Sequence, residues 1–79
     1  MLRINIPDSV TTIGEAAFFN CIQLAKVSVR SESPPKLEKN CFTRNADGRK
    51  FYVPSGSVTA YKEASGWAAY ADDIIGFDF

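Results

Sequence analysis

Short runs of alternating apolar and polar residues recur along this chain at nearly constant distance. Ile4-x-Ile6-Pro7, Val27-x-Val29-Arg30 and Phe51-x-Val53-Pro54 follow one another at spacings of 23 and 24 residues, and Ile75-x-Phe77 comes 24 after Phe51-x-Val53. Alternation with period two, built on β-branched and aromatic residues, predicts strands over 3–6, 26–29, 50–53 and 74–77. A second pattern lies between the strands: Ile13 stands over Leu37 and Phe18 over Phe42, both 24 apart, and Leu24 falls 23 after Met1. Self-similarity at such a distance marks stacked units, each too small to bury its own apolar face. The expectation is four short strands carried by about three repeats, the last one altered. Roughly 20 residues separate consecutive strands, enough for the crossovers that parallel pairing requires.

Local signals fill in the crossovers. Pro7 and Pro54 end the first and third strands by removing a backbone donor. Gly14 opens a compact turn into Ala16-Ala17-Phe18-Phe19, read as one helical or 3₁₀ turn, and Asn45-Ala46-Asp47-Gly48 reads as a turn. The best helix runs from Ser55 to Ala64, with Ser55 or Ser57 as N-cap, Gly66 beyond its end, and Val58 and Tyr61 facing inward. Phe18, Phe42, Phe51, Tyr61, Trp67 and Phe77 fall on buried or terminal positions, with Trp67 folding over the open end of the last repeat. Phe19, Tyr52, Tyr70 and Phe79 are less constrained.

The block Ile4-Asn5-Ile6-Pro7-Asp8-Ser9-Val10-Thr11-Thr12-Ile13-Gly14, followed by Ala17-Phe18, Asn20-Cys21 and Leu24, resembles one unit of the BspA-like leucine-rich repeats of bacterial surface proteins. Ser33-Pro34-Pro35, Phe51-Tyr52-Val53-Pro54-Ser55-Gly56-Ser57, Ala60-Tyr61-Lys62, Ser65-Gly66-Trp67 and Ile74-Ile75 resemble the segment that ends such arrays. Arg30 stands where the unit usually has proline, Met1 where leucine is usual, and the second repeat carries a Pro34-Pro35 insertion. The resemblance implies an α/β fold: a leucine-rich-repeat solenoid fragment of short parallel strands, with turn or short-helix crossovers and a C-terminal helical cap. Residues 1–79 then form a single domain, with repeat 1 at about 1–23, repeat 2 at about 24–47, and an atypical terminal repeat and cap at about 48–79. It also implies an extracellular or cell-surface parent, the chain being the end of a longer protein whose signal lies upstream.

Composition narrows the task. At 79 residues the chain buries only about 60% of its extended surface, and 46% of its residues are hydrophobic. Nine basic and nine acidic residues cancel, without the global positive field of a nucleic-acid binder. No run of 18 apolar residues is present, so no membrane span is expected. Histidine is absent, Ser55-Gly56-Ser57 lacks the surrounding glycines of a nucleophile elbow, and the glycines are scattered singly, so the expectation is no enzyme and no cofactor. Asp72-Asp73 with Asp78 is the densest carboxylate group, without calcium-loop spacing, and reads as a solvated turn. Cys41 falls on the position of Ala17, and Cys21 on the buried cysteine position that the resemblance implies; both read as small interior hydrophobes, with a disulfide as the alternative and no metal site.

The strand alternation supplies the candidate site. With Ile4, Ile6, Val27, Val29, Phe51 and Val53 inward, the opposite face receives Arg3, Asn5, Lys26, Ser28, Lys50 and Tyr52. Arg3, Lys26 and Lys50 form a ladder of cations, and Asn5, Ser28 and Tyr52 a polar ladder beside it. Stacked like charges favour an anion across them, which points to an extracellular protein segment or glycan as partner. The competing reading is a solvated face whose lysines splay into water. A structural role, capping a longer array whose other repeats do the binding, is the alternative function. The edge of the first strand invites weak self-association.

Overall fold

The computed structural model describes residues 2–78. Strands β1 (Leu2–Ile6), β3 (Leu24–Val29), β5 (Lys50–Pro54) and β6 (Ile74–Phe77) form a four-stranded sheet in the order β1-β3-β5-β6, every pair parallel. Two further strands, β2 (Thr12–Ile13) and β4 (Lys36–Leu37), pair parallel with each other in a small second sheet. Each is two residues long, too short for an alternation signal, which is why the apolar turns around Ile13 and Leu37 gave no strand expectation. The chain thus has parallel strands in sheets and few helices, as a leucine-rich-repeat fold requires.

Inward residues build one core. Val27, Val29, Phe51, Val53, Leu24, Tyr61 and Trp67 are fully buried, Cys41 and Phe42 nearly so, and Ile4 is half-buried against them. Register pairs Arg3 with Lys26, Lys26 with Lys50, Asn5 with Ser28 and Ser28 with Tyr52. Leu2, rather than Met1, lies opposite Leu24, and the register then shifts before Arg3 pairs with Lys26. That irregularity at Ala25 lets Leu24 enter the core while Lys26, two residues on, points to water. Met1 and Phe79 lie outside the described residues.

The turns repeat between the first two passes of the chain. Ala16 and Asn40, and likewise Asn20 and Arg44, take left-handed backbone conformations with φ between 57° and 63°. The N–H groups of Ala16, Phe18 and Asn20 donate to the carbonyls of Lys39, Cys41 and Thr43 at 2.9, 2.9 and 2.8 Å, a second ladder opposite the sheet. Tight i to i−3 bonds, Ala17 to Gly14 and Phe19 to Ala16, give the compact turn expected there. The rings of Phe18 and Phe42 stack at 5.3 Å.

The C-terminal third departs from expectation in four places. The helix is shorter, a 3₁₀ turn at Ser55–Ser57 leading into α1 (Val58–Glu63), and no serine side chain caps it. A second 3₁₀ segment, Trp67–Asp73, occupies the stretch before β6. Gly66, at φ 86°, starts that segment, and a side chain there would meet Leu37 Cβ at 3.1 Å. Finally, β6 pairs Phe51 with Ile74 and Val53 with Gly76, a spacing of 23 rather than 24. A one-residue slip exchanges the faces of a strand, so Ile74 is buried while Ile75 and Phe77 are 39% and 51% exposed. The reason is steric. Gly76 lies under the start of α1, where an added Cβ would sit 3.0 Å from Val58 Cγ2 and 3.1 Å from Ser55 Cα, so the position opposite Val53 favours glycine.

The candidate binding face of the sheet

Because β1, β3 and β5 are in parallel register, the six outward residues stand in two rows. Arg3, Lys26 and Lys50 form one, Asn5, Ser28 and Tyr52 the other. Arg3, Asn5 and Lys26 are exposed, while Ser28, Lys50 and Tyr52 are half-buried. The rows are not uniform in charge. Lys50 Nζ donates to Asp73 Oδ1 at 3.4 Å, so the third cation of the ladder is already answered by the protein. Asp73 is therefore not part of a solvated acidic turn; it also receives Arg49 Nη2 at 3.6 Å. Arg30 joins the face, its Nε donating to Asn5 Oδ1 at 3.1 Å. On the β6 side the exposed ring of Phe77 meets Tyr52 edge to face at 6.0 Å. Two adjoining depressions open there, one lined by Arg3, Lys26, Ser28, Tyr52 and Phe77, the other by Arg3, Ile4, Asn5, Ser28, Arg30 and Phe77.

A sequence model of the BspA type leucine rich repeat region, of 6 copies, matches residues 1–65. The chain belongs to this family. No curated protein matches it. Among the described residues no helix is long and apolar enough to cross a membrane, and no three of His, Cys, Asp or Glu come together as metal ligands.

Seen as a BspA-type chain, the molecule holds a polar centre that the alternation pattern missed. Arg49 is only 12% exposed along its side chain. Its guanidinium lies 4.8 Å from the ring centres of both Phe51 and Tyr70, and Nη1 donates to Phe42 O at 2.6 Å and Asn45 Oδ1 at 3.0 Å. A planar cation between two rings gains from their quadrupoles and keeps its fork free for the carbonyl and the Asp73 carboxylate. Tyr70, read as loosely constrained, is held here against Phe42 and Phe51. The one signal in the sequence was Arg49-Lys50 placed immediately before an inward phenylalanine.

Both cysteines are free. Cys41 is buried, with the carbonyl oxygens of Glu38, Gly14 and Ile13 at 3.0, 3.2 and 3.4 Å from its sulfur, and burial pushes its thiol pKa up. A thiol held protonated among carbonyls is a poor nucleophile, so it serves packing. Cys21 is half-buried against the core.

Proposed function

We propose that this chain is a non-catalytic recognition module of a secreted or surface-exposed bacterial protein, presenting the outer face of its sheet to an extracellular protein or glycan. In this reading residues 1–79 are the end of a solenoid with a period of 23 to 24 residues, divided at about 23 and 47. The observation that carries it is the pair of neighbouring cations, Arg3 and Lys26, whose side chains make no ion pair or hydrogen bond with the described residues. Two adjacent like charges kept on one face gain stability when a partner brings an anion. The test is adhesion of the chain to surfaces coated with collagen and with an acidic polysaccharide. Loss of retention in the Arg3→Glu, Lys26→Glu variant supports the reading; equal retention, or none by the parent chain, rejects it.

A second reading, a structural cap of a longer array, has its own observation in the last pass of the chain. Thr11 O accepts from the backbone of the next pass, whereas its counterpart Pro35 O is met by a side chain, Trp67 Nε1 at 2.8 Å, and Tyr61 Oη donates to Ser31 O at 2.6 Å. The two roles can coexist on opposite sides of the sheet. Weak self-association through the β1 edge accompanies either role, and a monomer at high concentration in sedimentation equilibrium argues against it.

A further inference from the structure

We propose that the outer sheet face contains a site for an acidic sugar, of the uronic-acid type, with its carboxylate on Arg3 and Lys26 and its ring over Tyr52 and Phe77. This rests on the reading of that face as a recognition surface and names the chemistry of the partner. The two depressions, of about 260 and 400 Å³, share Arg3, Ser28 and Phe77, and among the described residues no carboxylate lines either of them. Asp73 answers Lys50, so uncompensated charge gathers at the β1 and β3 end. Strands lie about 4.8 Å apart, close enough for one carboxylate to reach both cations. Ser28 and Tyr52 stand between, and their hydroxyls bond to no other described residue. At the far end the Tyr52 and Phe77 rings meet edge to face at 6.0 Å, with Phe77 51% exposed. Cations, open hydroxyls and an aromatic wall, in that order, complement the three surfaces of a sugar acid: its carboxylate, its hydroxyls and its apolar C–H face.

An acidic peptide laid over the face gains no added strand, since β3 and β5 are paired on both edges. The depressions match the small end of ligand sites, about 300 Å³, where a few placed polar groups and aromatic surface set the orientation.

The experiment is an amide NMR titration of the full chain with four probes: a galacturonic acid tetrasaccharide, a neutral galactose tetrasaccharide, polyglutamate and collagen. Saturable shifts centred on Arg3, Lys26, Ser28, Tyr52 and Phe77 are expected with the galacturonate and not with the neutral sugar. Arg3→Gln with Lys26→Gln should weaken galacturonate binding about tenfold or more, as loss of charge-assisted hydrogen bonds does. Tyr52→Ala should weaken galacturonate and leave polyglutamate unchanged. Polyglutamate binding as tightly as galacturonate, with Tyr52→Ala affecting neither, overturns the sugar site in favour of bare charge. Shifts of these residues with collagen alone overturn the sugar class and leave the recognition face standing. Silence with all four probes removes both.

Discussion

The first and last passes of the chain solve the same problem with different atoms. In the first, the carbonyls of Thr11 and Ile13 accept from Lys36 N and Glu38 N at 2.9 and 3.0 Å, and Phe18 O accepts from Asn45 Nδ2 at 2.8 Å. Twenty-four positions later the corresponding carbonyls of Pro35 and Phe42 accept from Trp67 Nε1 and Arg49 Nη1. Where another pass follows, its backbone N–H groups and one short amide side chain supply the donors. Where the pattern changes, long side chains supply them, and each brings apolar bulk that closes the core: Trp67 packs edge-on to Phe51 at 5.3 Å and to Tyr61 at 5.1 Å. The last pass thus meets these carbonyls with side chains that combine one donor with a large ring or stem, because a buried carbonyl left unmet costs about 1–3 kcal/mol.

Trp67→Ala tests that contrast most severely. It removes a fully buried ring and should cost about 3–5 kcal/mol in denaturant unfolding. Phe18→Ala, in the first pass and only half-buried, should cost less; equal losses would erase the distinction between the two ends. Arg49→Met keeps much of the stem but strips Phe42 O of its donor, with an expected cost of about 1–3 kcal/mol, and Asp73→Asn should recover little of it. A neutral effect would mean that water replaces the guanidinium.

A smaller effect is visible in pH. Burial pushes the Tyr61 pKa from 10.0 to about 12. The folded state therefore keeps this proton at pH values where the unfolded chain releases it, so its contribution is complete below pH 10 and fades as pH rises from 10 to about 12. Tyr61→Phe should lower stability by about 1 kcal/mol near neutrality, through loss of the bond to Ser31 O, and flatten this alkaline decline. A decline of unchanged steepness would assign it to other groups. The smallest change is expected on the outer face: Arg3→Gln with Lys26→Gln should alter stability by no more than about 0.5 kcal/mol. A clear gain would show that the repulsion between them is felt even without a ligand.

Legibility followed range. The three outward pairs were readable because period-two alternation assigns a face to each residue of a strand, and register then follows from the spacings of 23 and 24 residues between Ile4, Val27 and Phe51. Residue-by-residue comparison also placed Cys41 inside. The faces of β6 were not readable. Ile74, Ile75 and Phe77 are all apolar, so either alternation fits, and only the approach of Val58 and Ser55 to Gly76 chooses between them. Phe77 moved by that choice from expected core to the wall of the candidate site. Arg49 was hidden for a similar reason: its partners Phe42, Asn45, Tyr70 and Asp73 come from separated segments, and no local pattern joins them.

The sequence by itself determined the family, the parallel strands and the composition of both faces, because these depend on side-chain periodicity and on spacings that a short chain cannot satisfy otherwise. Tertiary structure decided the charge balance of the outer face, the slip of β6 and the identity of the side chains that close the core. Those outcomes depend on which atoms meet across the crossovers, where a single close contact or one carboxylate outweighs a pattern.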